Sequence, residues 1–240
     1  MIKNILKIIF VFILGIGGGI FADQILWPYF IERPLFYKYR LEQAPVYVTE
    51  RNEITIQENN ALQNAVEKVE KAVVGVVTET KEKKVLTGSG LLITSDGLMI
   101  TLAELLPQAG NYTFFVNGKT PKYQVLKRYL EENLALVKIE EGNLSTIGFA
   151  DFGKLTLGER VFLIGAVFQK GSSAPLKMVN EGIVKFFTED YIRTNIFEKN
   201  ILAGSPLFNI KGELLGLNTI DSEGKVTAIP VAKIRAFLGF

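Results

Sequence analysis

The sequence predicts an all-β domain held behind a single N-terminal membrane helix. Two observations carry this. An uncharged apolar stretch opens the chain, and from Thr87 onward short apolar runs alternate with turn signals at strand spacing. A third is negative: the chain has no cysteine and no histidine, so packing alone must hold the fold. A chain of 240 residues is long enough for that.

Composition bounds the function. Hydrophobic residues make up 48% and mean hydropathy is +0.23, an excess concentrated at the N-terminus. The net charge of +2 comes from interspersed charges without a basic stripe, which argues against nucleic-acid binding. Without histidine and cysteine, the commonest zinc ligands and the commonest general base are missing. No nucleotide-binding glycine pattern occurs, so no cofactor is implied.

Between Lys7 and Asp23 there is no charge. A span needs about 20 apolar residues, and residues 5–22 meet this if Lys7 snorkels to the headgroups. An uncleaved anchor is expected rather than a signal peptide, because Ile20-Phe21-Ala22 is a poor cleavage site. Trp27, Tyr29 and Phe30 suit an outer interface. The short stub with Lys3 and Lys7 favours a cytoplasmic N-terminus and a domain outside the cytoplasm. Gly15 and Gly19 have helix-packing spacing, although small residues in a short apolar segment explain them better. Residues 1–31 are read as anchor, 32–58 as connector and 59–240 as the folded domain. The connector is broken by Pro34 and Pro45 and carries Tyr37, Tyr39 and Tyr47.

Asn60 and Gln63 have capping-box spacing, and Leu62, Val66 and Val69 recur on one face, so a helix is expected from Asn60. Residues 72–77 read as the first strand. The run Lys81-Glu82-Lys83-Lys84 is a solvated hairpin loop. Residues 88–93 form a strand, Ser95-Asp96-Gly97 a tight turn and residues 98–101 the return. Asn117-Gly118 predicts a hairpin joining residues 112–116 to 123–129. Further strands are expected at 134–139, 160–165, 178–187 and 226–231, with a helix over 232–237. Two barrels of about six strands each fit this spacing, with their boundary near 142–150.

The motifs then carry a resemblance. Residues 200–219 read N-I-L-A-G-S-P-L-F-N-I-K-G-E-L-L-G-L-N-T. This resembles the nucleophile loop, hairpin and G-x-N-T strand of trypsin-fold serine proteases of the HtrA type. The string G-S-G-L-L-I-T-S-D-G-L-M-I-T at 88–101, the row N-L-A-L-V-K-I at 133–139, G-E-R-V-F-L-I-G at 158–165 and A-I-P at 228–230 extend the likeness over residues 62–237. The resemblance implies a trypsin-like double β-barrel. It also implies that Glu104, Asn133 and Ala203 stand where the family has its catalytic histidine, aspartate and serine.

Serine-type acyl transfer needs a hydroxyl, a base in reach and a group that orients the base. Ala203 offers no hydroxyl, Glu104 is a weak base for an alcohol, and Asn133 supplies no charge. Ile201 replaces the family's first loop glycine. The expectation is therefore a pseudoprotease, not an enzyme, that binds extended peptides or protein partners. Relatives add the substrate as a strand after the nucleophile loop, which implies peptide binding at Leu217, Asn218 and Thr219. Two alternatives stay open: an endopeptidase that uses Ser205, paired with Lys199, and a regulatory subunit of an active homologue. A homo-oligomer is possible under either. The acidic residues Glu131, Glu132, Glu140 and Glu141 are read as solvated strand ends rather than as a metal site. The family's usual peptide-sensing PDZ module is not expected, because the sequence stops just past the closing helix.

Overall fold

The computed structural model describes residues 2–32, 50–169 and 174–239. It divides into two units, residues 1–53 and 54–240. The connector prolines and tyrosines at 34–47 lie outside the described residues.

In the first unit, α1 (Ile2–Phe21) runs on into a π-helical stretch over Ala22–Glu32. Its side chains are exposed throughout, Phe10 and Phe12 among them. The helical segment Ile2–Trp27 is long and apolar enough to cross a membrane. An exposed apolar surface of this kind suits lipid contact.

The second unit is mostly β. Helix α2 (Glu50–Val69) leads through a 3₁₀ turn, Glu70–Ala72, into the first strand. The helix begins ten residues before the expected start, so Asn60 lies inside it and is no cap. The expected apolar face is present: Ala65 and Val69 are buried, with Leu62 and Val66 packed beside them.

Six strands form the first sheet: β1 (Val73–Thr80), β2 (Val85–Leu92), β3 (Leu98–Leu102), β4 (Gly110–Phe115), β5 (Tyr123–Tyr129) and β6 (Leu134–Ile139). Their order is β4-β1-β2-β3-β6-β5. The hairpin expected from Asn117-Gly118 is only local. Both residues take positive φ and Val116 bridges Lys119, but β5 pairs with β6 instead of returning along β4. Pro121 has no N–H to continue a ladder at that point. The β4 and β5 edges are joined through side chains. Tyr123 packs edge-on against Phe114 at 4.8 Å, and Arg128 Nε donates to the Leu106 carbonyl at 2.8 Å. With its six strands, as expected, this sheet forms a half-barrel.

The second sheet contains β7 (Gly148–Phe149), β8 (Arg160–Val167), β9 (Leu176–Phe187), β10 (Ile192–Phe197), β11 (Pro206–Asn209), β12 (Glu213–Ile220) and β13 (Lys225–Pro230). The order is β11-β8-β9-β10-β13-β12-β7, and β11 also pairs with β12, which closes the ring. Helix α3 (Val231–Leu238) follows, with Val231, Ile234 and Phe237 buried.

Two apolar clusters fill the domain. One holds Leu91, Ile100, Phe114 and Leu134 of the first sheet, together with Phe208, Leu217 and the α3 residues. The other holds Leu163, Val184, Ile192, Leu207 and Val226 within the closed barrel. Alternate residues of β8 and β11 therefore reach different cores, as the two-residue period of a strand allows.

Candidate functional site

The site lies where the two sheets meet around the loop from β10 to β11. Its frame starts from Gly88-Ser89-Gly90 on β2. The Ser89 N–H donates to the Ala203 carbonyl at 2.9 Å, and the Ser89 carbonyl accepts from Thr101 Oγ1 at 2.7 Å. Ser89 Oγ accepts the Ala166 N–H of β8 at 2.9 Å. One buried serine thus ties β2, β3, β8 and the loop together. In the sequence, Ser89 is only the centre of a Gly-Ser-Gly motif. The flanking glycines were the signal, because they let two backbones approach. A Cβ on Gly88 would sit 2.6 Å from the Ala203 carbonyl oxygen.

The loop is fixed with equal tightness. Asn200–Leu202 forms a 3₁₀ turn, with the Leu202 N–H bonded to the Lys199 carbonyl at 3.0 Å. Gly204 takes φ +76°, and a Cβ there would lie 2.3 Å from the Ser89 carbonyl oxygen. The Gly204 N–H donates to the Asn218 carbonyl at 2.8 Å, and the Asn218 N–H donates to the Ser205 carbonyl at 2.8 Å.

Asn133 adopts φ +55°, a left-handed conformation that asparagine tolerates better than most residues. From there its main-chain carbonyl accepts the Ala103 N–H at 3.0 Å and its side-chain Oδ1 accepts the Glu104 N–H at 2.9 Å. Asn133 is a bracket that holds the backbone of the 3₁₀ turn Ala103–Leu105, on which Glu104 stands.

Glu104 and Ala203 share one cleft of about 320 Å³, whose remaining walls are Lys84, Val85, Leu86, Thr87, Leu105 and Ile201. The three residues named from the triad resemblance therefore belong to one construction, two on the cleft and one behind it. Ala203 itself is only 2% exposed.

The other predicted residues fall differently. Ser205 is fully buried, and its Oγ accepts from Asn218 Nδ2 at 3.1 Å. Lys199 is exposed, and among the described residues no hydrogen bond joins it to Ser205. Leu217 and Asn218 are fully buried. Leu217 pairs with Pro206 on one side and Ile229 on the other, and both backbone groups of Asn218 are taken by the loop. Thr219 is half-buried, its hydroxyl bonded to the Thr227 carbonyl at 2.9 Å. The acidic strand ends do not converge. Glu141 pairs with Lys119 at 2.8 Å and Glu131 accepts from the Tyr129 hydroxyl at 2.9 Å. Among the described residues, no group of three metal-ligating side chains forms.

One further feature was not anticipated. In an antiparallel ladder, alternate residues turn both backbone groups toward the neighbour and away from it. The Asp221 N–H bonds to the Lys225 carbonyl at 3.2 Å, so on β12 residues 217, 219 and 221 face β13. Asn218 and Ile220 face the other way. The groups of Asn218 meet residues 204–205, but the β11 pairing ends at Leu217 and no described strand runs beside Ile220. Ile220 and Asp221 also line a cavity of about 760 Å³ with Phe197, Glu198 and Lys199.

Residues 88–217 match the model of the trypsin-like peptidase domain. Serine protease HTRA1A of Danio rerio is 29% identical over 195 residues, covering 75% of this chain and 41% of the relative. A probable periplasmic serine endoprotease, DegP-like, of Halomonas elongata is 27% identical over 149 residues, covering 60% of this chain and 31% of the relative. The chain thus spans less than half the length of these relatives. The solved HtrA-type protease AlgW with tripeptide shares the fold, with a TM-score of 0.66 at 23% identity over 74% of this chain and 62% of that one. These findings overturn the expectation that the chain is not an enzyme. The relatives are named as serine proteases, and nothing in the structure shows that activity has been lost. A half-barrel and a closed barrel meeting at a glycine-bracketed loop, with this match over 88–217, make the chain a member of the trypsin-like peptidase domain family whose relatives here are of HtrA type.

Proposed function

We propose that this is a membrane-anchored, HtrA-type trypsin-like domain that binds extended peptides or unfolded segments of proteins outside the cytoplasm. Residues 1–31 serve as the anchor, 32–58 as the connector and 59–240 as the binding domain. The N-terminus is cytoplasmic.

One observation carries the reading. The backbone of Ile220 is turned away from β13 at the point where β11 ends, beside a large cavity. An unpaired stretch of strand edge is a template for an added strand. The peptide-binding residues then become Thr219, Ile220 and Asp221, a shift along β12 from the expected Leu217–Thr219. The loop of residues 199–203 borders both this cavity and the Glu104 cleft, so a peptide added here lays one side chain toward Phe197 and Ile220 and leads along the loop toward Glu104.

The test is fluorescence anisotropy of labelled, blocked ten-residue peptides with the full chain in detergent micelles. Ile220→Pro removes the N–H at a position that does not bond to β13, so the fold is retained. Loss of one such bond together with the added ring is expected to weaken binding about tenfold, or about 1.4 kcal/mol. Peptides N-methylated at successive positions should lose affinity at one or two of them only. Unchanged affinity in both series refutes the reading.

The names of the relatives favour a second reading, hydrolysis of the bound peptide. Thr87 lines the Glu104 cleft and Ser205 is buried beside Asn218. Casein turnover by purified protein that is lost in Ser205→Ala or Thr87→Val supports it. Turnover indifferent to both changes excludes these hydroxyls.

A further inference from the structure

The Glu104 cleft has a chemistry of its own. Its apolar walls are Val85, Leu86, Leu105 and Ile201, beside Thr87, with Ala203 adding only a methyl group. Val85 is 60% exposed and Ile201 40%, so apolar surface is open to an incoming group. Two charges stand on this lining, Glu104 and Lys84. Among the described residues, the Glu104 carboxylate has no ion pair and no side-chain hydrogen bond, and Lys84 does not reach it within salt-bridge distance. The turn that carries Glu104 is held from behind, because the Glu104 N–H donates to Asn133 Oδ1 at 2.9 Å. The result is an exposed, unpaired carboxylate at the edge of a cleft with apolar walls.

We infer that Glu104 is a specificity-determining residue that selects a lysine or arginine side chain on the bound peptide, at the residue that follows the backbone past Ala203. This rests on the peptide-binding reading above. Lysine and arginine carry an apolar stem and a charged head, the complement of apolar walls with one carboxylate. A peptide glutamate in the same place meets like charge, and a neutral side chain leaves Glu104 unpaired. Lys84 fixes the direction: the cationic head turns toward Glu104 and away from Lys84.

The experiment uses the full chain in detergent micelles and pools of blocked, labelled ten-residue peptides. All positions are randomised except one, which is fixed as Lys, Gln or Glu and scanned along the peptide. At low salt, one position is expected to prefer Lys over Gln by about fivefold, the upper range of an exposed ion pair. Raising salt should reduce that preference. Glu104→Gln should abolish it while changing affinity for the Gln pool less than twofold. Glu104→Lys should turn the preference toward Glu, and Lys84→Ala should strengthen binding of the Lys pool. A Lys preference that survives in Glu104→Gln overturns the inference, as does binding with no positional preference. Both outcomes leave peptide binding intact. Failure of every pool to bind overturns both readings.

Discussion

Asn133 offers the sharpest test of how the site is built, because three substitutions separate its two roles. Its Oδ1 accepts the Glu104 N–H at 2.9 Å, and its backbone holds φ +55°. Asn133→Ala removes the acceptor, which costs about 1 kcal/mol for a neutral hydrogen bond. It also places alanine in the left-handed region, which costs about 1 kcal/mol more. The expected loss is about 2 kcal/mol. For a domain of this size that is a fall in Tm of roughly 4–8 °C. Asn133→Gly removes the acceptor but relieves the backbone, so it should cost about half as much. Asn133→Asp keeps an acceptor and tolerates the conformation, so it should fall close to the parent. Thermal unfolding of the β-sheet circular dichroism signal ranks the series as Asp, Gly, Ala. An alanine variant as stable as the parent would show that Asn133 does not brace the turn. A glycine variant worse than alanine would show that the positive φ carries no cost.

Further expectations follow from the same structure. Gly204→Ala forces a Cβ to 2.3 Å from the Ser89 carbonyl oxygen at φ +76°, so a loss of about 3 kcal/mol or more is expected in thermal unfolding. Phe208→Ala empties a fully buried position and should cost about 3–5 kcal/mol, measured the same way. The Lys138 ammonium bonded to Asp96, and Lys154 beside Asp151, hold those carboxyls below the usual range. Their contribution is therefore present above the ordinary carboxylate pKa and is lost as pH falls through the lowered values. Lys138→Met should flatten part of that acid limb in a stability-versus-pH series. Leu14→Arg places a charge in the middle of the apolar helix, at about 3 kcal/mol, and should shift protein from the membrane pellet to the alkaline-carbonate supernatant.

The parts of the fold that sequence revealed are those with local causes. The Ser95-Asp96-Gly97 turn, the strands around it and the closing helix over residues 232–237 all follow from neighbouring residues. What it missed depended on distant partners. Strand β10 was overlooked although Ile192, Thr194 and Ile196 alternate as buried with exposed Arg193, Asn195 and Phe197. That two-residue period is legible in the sequence itself. The return of β5 to β6 was not legible, since Asn117-Gly118 does form its turn and only a competing ladder takes the strand elsewhere. The start of α2 was misplaced because a cap-like pair at Asn60 and Gln63 occurs inside a longer helix.

The site divides along the same line. The resemblance brought Glu104, Asn133 and Ala203 together, and the structure supplies their relation: one brackets, one faces the cleft, one leaves space. The role of Ser89 needed three dimensions, because its partners lie on β3, β8 and the loop. The shift of the proposed binding strand from Leu217 to Ile220 has the same origin. A sequence pattern names the strand, but only pairing on both of its sides shows where it becomes free.

The most direct measurement is amide hydrogen exchange at Ile220, read by NMR in the full chain with and without an extended peptide. If the peptide adds to this strand, the Ile220 amide exchanges quickly alone and slows at least tenfold with peptide, while the Asn218 amide, already bonded to the Ser205 carbonyl, stays slow in both. An Ile220 amide that is protected without peptide, or unprotected when the peptide is bound, contradicts the account.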